Sequence, residues 1–95
     1  MQRNYEAIFI VSAKLSENEV KDLSEQYKNI IMVDDKVKII ETSIENRQLA
    51  YPIKKQTKGI FIKYKFSATP DVISKIKDAI KHREEILRST IIKQE

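Results

Sequence analysis

The residues of this sequence best suited to do chemistry are a dense group of lysines. Five lysines fall between Lys54 and Lys65, and no acidic residue interrupts them. A run of this kind creates a local positive field that attracts polyanions such as nucleic-acid phosphates. A solvated lysine surface that only aids solubility is the alternative interpretation, and the run alone does not separate the two.

The charge of the chain is unevenly distributed. Residues 1–50 hold 7 Lys and Arg against 9 Asp and Glu, whereas residues 51–95 hold 11 against 5. The two halves therefore carry charges of −2 and +6, which the overall value of +4 conceals. An anionic partner is expected to bind the basic second half.

Residues suited to catalysis or metal binding are scarce. The chain has one histidine (His82), one glycine (Gly59) and no cysteine, which excludes thiolate metal sites and Gly-rich phosphate loops. The adjacent carboxylates at 34–35 and 84–85 are more typical of solvated turns and helix ends than of acid–base pairs. We therefore expect a protein that is not an enzyme, with no catalytic residue, metal, cofactor or small-molecule substrate.

Length and composition indicate a single folded domain over residues 1–95. Hydrophobic residues make up 41% of the chain and charged residues 34%, as in globular proteins with a well-solvated surface. The only apolar run near the N-terminus, residues 7–11, is far too short for a signal peptide or a membrane span. We expect a cytosolic protein with no membrane partner.

Hydrophobic periodicity in the first half predicts a strand, a helix and a second strand. Residues 5–12 are mostly apolar and rich in strand-forming side chains, as in a strand covered on at least one face. Ser16 and Glu19 have the spacing of a capping box, which marks the start of an amphipathic helix whose apolar stripe covers residues 20–31. The second strand is predicted over residues 36–45.

The second half predicts a strand, a helix and a final strand. Residues 51–57 include Pro52, which lacks an amide donor, and are interpreted as a long connection. Residues 59–66 alternate as a strand with a basic outer face. Thr69-Pro70-Asp71 predicts a helix start capped by Thr69, and the β-branched residues 86–92 predict the last strand.

The resulting order, β-α-β-β-α-β, is typical of the ferredoxin-like α+β fold. In this fold two helices cover one face of a four-stranded antiparallel sheet and leave the other face open. RNA-recognition motifs share the plan, and residues 58–64 begin like their third-strand signature. The match is partial, because Ile60 stands at an aromatic position and only Phe61 faces outward to stack a base. A free-standing module that binds single-stranded RNA therefore remains the alternative function.

A more specific motif covers residues 47–55, Arg-Gln-Leu-Ala-Tyr-Pro-Ile-Lys-Lys. It resembles the R-x-L-A-Y-P-I-x-K signature of the bacterial small-subunit ribosomal protein S6 family. Tyr5-Glu6 is similar to the family's Tyr-Glu opening, and residues 86–89 are similar to its last-strand motif. The chain departs from the family pattern at residues 34–35, Asp-Asp in place of Gly-Gly, and at residues 44–45, Ile-Glu in place of Trp-Gly.

The resemblance extends over essentially the whole chain and implies both a fold and a function. It implies a ferredoxin-like structural constituent of the small subunit of the cytoplasmic ribosome. It further implies binding to the central domain of small-subunit ribosomal RNA together with small-subunit ribosomal protein eighteen.

Basic side chains are the expected RNA contacts. Lysines and arginines displace the counterions of RNA phosphates, and the planar guanidinium adds bidentate contacts. We expect the RNA contacts to be drawn from Arg3, Arg47, Lys54, Lys55, Lys58, Lys81, Arg83, Arg88 and Lys93, with Tyr5 as a stacking or hydrogen-bonding group.

Overall fold

The computed structural model describes residues 2–94. Its elements follow the predicted order: β1 (Arg3–Ser12), α1 (Glu17–Ile31), β2 (Lys38–Ile53), β3 (Gln56–Ala68), α2 (Pro70–Ile80) and β4 (Ile86–Gln94). All strand pairs are antiparallel, and the strand order is β2-β3-β1-β4. The ferredoxin-like fold is therefore confirmed.

The predicted capping box at the start of α1 is confirmed. The Glu19 amide donates to Ser16 Oγ at 3.2 Å, and the Ser16 amide donates to Glu19 Oε1 at 3.1 Å. Each bond satisfies an amide that the first helical turn leaves without a partner. The helix then buries Val20, Tyr27 and Ile31 against the sheet.

The start of α2 differs in one detail from its prediction. Thr69 occupies the cap position and Pro70 the first helical position, but the Thr69 side chain makes no capping hydrogen bond to the backbone. Its hydroxyl instead bonds the Asp71 side chain and is the largest cause that lowers the pKa of that carboxyl. The helix buries Val72, Ile76 and Ile80.

Aromatic side chains form the centre of the core between the sheet and the helices. Phe9, Tyr27, Tyr64 and Phe66 are fully buried. The rings of Phe9 and Tyr27 lie 5.0 Å apart between centroids, which joins β1 to α1. Burial of such large side chains provides most of the driving force that seats α1 on the sheet.

The connection between β2 and β3 is much shorter than predicted. The two strands continue to Ile53 and from Gln56, so the loop consists of Lys54 and Lys55 alone. Both lysines have positive φ, 49° and 67°, as the tight primed hairpin turns require. Pro52 is tolerated because it lies on edge strand β2 at a break in the register between Gln48 and Ile53, where a missing amide donor breaks no pairing with β3.

The β2–β3 hairpin continues beyond the residues that pair with β1. Pairing of β3 with β1 begins only at Gly59, which is opposite Ser12. Residues 48–58 therefore have no pairing partner on β1, and residues 49–53 among them fold over the open face, where most of them line a cavity together with Ile8, Ile10 and Thr90. We call this part of the molecule, together with the adjoining starts of α1 and β4, the hairpin end.

The two departures from the family pattern lie in the turn before β2 and on edge strand β2. Asp34 Oδ1 accepts from the Lys36 amide at 2.9 Å, and the Asp34 carbonyl accepts from the Val37 amide at 3.1 Å, so this turn closes without glycine. Ile44 is 45% exposed on edge strand β2 and lines an apolar groove beside Val20 at the start of α1.

Candidate nucleic-acid interface

Strand register brings most of the predicted basic residues to the hairpin end. Arg47 is opposite Gly59, and Arg88 is opposite Ile10, close to the end of β1. Lys81 and Arg83 lie between α2 and β4, and this connection reaches the same end because β4 starts there. The residues brought together in this way are Arg47, Lys54, Lys55, Lys58, Lys81, Arg83 and Arg88.

The tip of the hairpin is strongly basic. Residues 48–58 contain no Asp or Glu, and Lys54, Lys55 and Lys58 are all exposed. None of the ion pairs found among residues 2–94 involves these three lysines. Their charge is therefore available to an external anion.

Arg47 and Arg88 lie on the open face of the sheet and pack on aromatic rings. The Arg47 guanidinium pairs with Glu45 and lies 5.9 Å from the centroid of the Phe61 ring. The Arg88 guanidinium donates to the Tyr51 hydroxyl and lies at the same distance from that ring. Packing of this kind holds a guanidinium in one orientation, while some of its N–H donors stay exposed.

Arg83 is held inside a network that joins α1 to the start of β4. Its Nη1 donates to Gln26 Oε1 at 2.6 Å and lies 3.3 Å from Glu85 Oε2. The Tyr27 hydroxyl donates to the same Glu85 oxygen at 2.9 Å. These partners position Arg83 as a link between elements of the fold, so it is less available to RNA than the hairpin lysines.

The pKa shifts in this region follow from burial and hydrogen bonding. Burial raises the pKa of the Tyr27 hydroxyl, and the bond to Glu85 raises it further. Burial also raises the pKa of Tyr64, whose hydroxyl donates to the Ser24 carbonyl at 2.5 Å. For Glu85, burial alone raises the pKa, but bonds from the backbone, Tyr27 and Arg83 outweigh burial and leave it lowered.

Three predicted contacts lie away from the hairpin end. Arg3 and Lys93 are exposed at the opposite end of the sheet, where β1 starts and β4 finishes. Tyr5 is only 7% exposed, and its ring stacks on Phe66 in the core. Its ring already has a partner inside the protein, which disfavours stacking on a base, and a role for Tyr5 in RNA binding by stacking or hydrogen bonding stays a prediction.

The open face offers little to an RNA-recognition mode. Phe61 is half-buried and lies beneath Arg47. The one strongly exposed aromatic side chain of the described residues is Tyr51, at 55%. Base stacking on adjacent strands needs several free rings on this face, and the described strands do not supply them.

Lys14 is a basic residue of the hairpin end that the sequence patterns do not single out. It lies between β1 and α1 and lines a cavity of about 270 Å³ together with Lys55, Thr57 and Lys58. Residues 14 and 55 are far apart in the chain, so only the strand register reveals that they are neighbours.

An apolar cavity lies on the open face beside the hairpin. It measures about 260 Å³, and its lining consists mainly of apolar side chains from β1, β2 and β3, with Arg88 at its edge. Among them, Leu49 and Tyr51 come from the motif at residues 47–55. Apolar lining and an exposed aromatic ring suit a protein partner better than a phosphate backbone.

The described residues show neither a metal site nor a membrane-spanning helix. Nowhere in residues 2–94 do three or more His, Cys, Asp or Glu side chains gather so as to hold a metal ion. Neither helix of this range has the length and hydropathy needed to cross a bilayer.

Sequence comparison with known proteins identifies a family. The family model of ribosomal protein S6 matches residues 4–93. The small ribosomal subunit protein bS6 of Azobacteroides pseudotrichonymphae is 32% identical over 91 residues, which cover 96% of this chain and 81% of the relative. The protein of the same name from Helicobacter pylori strain Shi470 is 38% identical over 95 residues, covering 98% and 66%.

A solved structure agrees with the sequence relatives. The crystal structure of 30S ribosomal protein S6 from Thermotoga maritima superposes with a TM-score of 0.90 at 27% identity. The match covers 99% of this chain and 89% of that protein.

Proposed function

The chain belongs to the ribosomal protein S6 family, and from this premise we propose that it binds the central domain of small-subunit ribosomal RNA through its hairpin end. Membership makes it a structural constituent of the small subunit of the cytoplasmic ribosome, with ribosomal RNA and ribosomal proteins as partners, and not an enzyme. What we propose beyond family membership is the domain of the RNA that is bound and the residues that contact it.

The observation that supports the proposal is the positive charge at the tip of the β2–β3 hairpin. Residues 48–58 of the hairpin have no acidic side chain, and its tip lysines have no ion pair among the described residues. Ribosomal RNA is a dense array of phosphates, and lysines that displace its counterions give affinity with little base specificity. The two-residue turn at the tip holds Lys54 and Lys55 exposed, where they can meet an RNA surface.

The proposed RNA contacts are ranked by their surroundings. Lys54, Lys55 and Lys58 are the strongest candidates, followed by Arg47 and Arg88, whose guanidinium groups are ordered by aromatic rings. Lys81 is exposed at the same end, and Arg83 is engaged within the fold. Arg3 and Lys93 can contact the RNA only if it also reaches the opposite end of the sheet.

The test is the salt dependence of binding to a central-domain fragment of the RNA. Affinity should fall steeply with salt, and the variant with Lys54→Ala and Lys55→Ala should lose about one unit of slope per lost contact. The matched control replaces Lys75 and Lys77, two exposed lysines of α2, and should keep the slope. A hairpin variant with unchanged affinity and slope would rule out the hairpin as the contact.

We also propose small-subunit ribosomal protein eighteen as the protein partner at the open-face cavity. The exposed Tyr51 ring at its rim has the chemistry of an interface anchor. Tyr51→Ala should weaken binding to the purified partner by more than tenfold, the scale of a typical hot spot. Ile40→Ala, which removes a more exposed apolar side chain from the outer edge strand, is the control. Equal effects of the two substitutions would place the partner elsewhere.

A further inference from the structure

We propose that Lys14, Lys55 and Lys58 form a binding site for a single phosphate group, in the cavity between the β1–α1 connection and the hairpin. The proposal rests on RNA being the ligand, and it assigns one backbone phosphate to one place on this chain. Thr57 lines the same cavity and offers a hydroxyl donor.

The three lysines come from separate parts of the chain, and each is held by the backbone. The Lys14 amide donates to Ser12 Oγ at 3.1 Å, and the Leu15 amide donates to the Ser12 carbonyl at 3.3 Å, which fixes the β1–α1 connection. Lys55 is fixed by the turn, and Lys58 by its pairing with Gln48. Little backbone ordering is therefore needed when an anion binds.

Charge at this place is uncompensated within the described residues. Lys14, Lys55 and Lys58 are exposed, and none of the ion pairs of residues 2–94 includes them. The cavity lining contains no acidic residue. Three like charges around one cavity repel each other, and a bound anion relieves that repulsion.

The lining favours a phosphate group over an apolar or aromatic partner. Ammonium groups act as compact point charges that converge on a small anion from several directions, and lysine is a common phosphate ligand. The cavity has three lysines, and its lining has no aromatic ring.

The experiment compares Lys14→Ala with Lys28→Ala in binding to the central-domain RNA fragment at low salt. Lys28 is an exposed lysine near the other end of α1, so both variants lose one charge from exposed positions. Lys14→Ala should weaken binding about three- to tenfold and reduce the salt slope by about one unit, while Lys28→Ala stays within about twofold of the unchanged chain. Lys14→Arg should recover much of the affinity, because it restores a cation.

The outcomes separate this proposal from the proposed function. Failure of the unchanged chain to bind the fragment would overturn the function itself. Salt-sensitive binding with equal effects of Lys14→Ala and Lys28→Ala would leave the function intact and overturn the phosphate site. A titration with inorganic phosphate at constant ionic strength gives an independent test, since amide NMR shifts should concentrate at residues 13–14 and 55–58. Shifts spread evenly over all lysine-bearing segments would contradict the site.

Discussion

At the scale of single residues, Glu85 ties α1 to the start of β4. It accepts from the backbone, from the Tyr27 hydroxyl and from Arg83, and these bonds, the backbone one first, keep the pKa of its carboxyl below the ordinary value despite burial. A carboxylate whose pKa is lower in the folded than in the unfolded chain stabilises the fold above the unfolded pKa of about 4.3. That contribution disappears as the pH falls through the folded pKa.

Glu85→Gln should therefore lower the free energy of unfolding by about 0.5–1.5 kcal/mol at pH 7. The difference from the unchanged chain should shrink as the pH is lowered toward 3. Urea unfolding at several pH values measures this difference in the free energy of unfolding. Glu84→Gln, at an exposed neighbouring position, is the control. A difference that stays constant over this pH range would contradict the assigned role of the ionised carboxylate.

Gly59 is required where the hairpin folds over the end of β1. A Cβ at this position would lie 2.8 Å from Ile10 Cγ2 and 3.3 Å from Leu49 Cδ2. Because the nearer contact is below normal van der Waals distance, Gly59→Ala should cost about 1–3 kcal/mol of stability. Thermal unfolding checks this, with the exposed Thr42→Ala expected to change stability far less. An unchanged melting temperature in Gly59→Ala would show that the packing is looser than described.

At the scale of elements, the proposed RNA binding and the stability of the fold favour different residues in the β2–β3 turn. Two lysines adopt positive φ, which Asn and Gly adopt at lower cost. Lys54→Asn combined with Lys55→Gly should raise the free energy of unfolding by about 1 kcal/mol and at the same time weaken RNA binding.

Matched variants separate the two effects of this change. Lys54→Ala combined with Lys55→Ala removes the same charges without supplying turn-forming residues, so it should weaken RNA binding with no gain in stability. Chemical denaturation and RNA titration of both variants measure the two quantities. If the Asn-Gly variant is no more stable than the alanine variant, the positive-φ turn is wrong.

Local signals predicted most of the elements, and tertiary context explains the exceptions. The capping box of Ser16 and Glu19 and the alternation in residues 59–66 are short-range patterns, so the sequence shows them directly. The extent of β2 is different, since Pro52 and the Lys54-Lys55 pair normally argue against a continuous hairpin. An edge position and a break in the register between Gln48 and Ile53 accommodate Pro52, and the pairing of Ile53 with Gln56 closes the turn around the two lysines.

At the scale of the whole molecule, the order of elements predicted the fold, and only the strand register reveals the candidate site. The sequence does not show that Arg88 lies at the hairpin end, whereas Lys93, on the same strand, lies at the opposite end of the sheet. The burial of Tyr5 and the place of Lys14 likewise depend on contacts between distant segments. The motif at residues 47–55 identifies the family. Its charged residues come close to the other basic residues only because β3 pairs with β1.

The central claim is that the hairpin end joins this protein to ribosomal RNA in the small subunit. Density-gradient sedimentation of a lysate that contains the tagged chain tests this claim most directly. The unchanged chain should migrate with small subunits, and a variant with Lys54, Lys55 and Lys58 replaced by alanine should shift toward the top of the gradient. Lys28, Lys36 and Lys75, all exposed and outside the hairpin end, are replaced together as a control of equal charge that should remain with the subunits. A hairpin variant that stays with the small subunits as fully as this control would contradict the account.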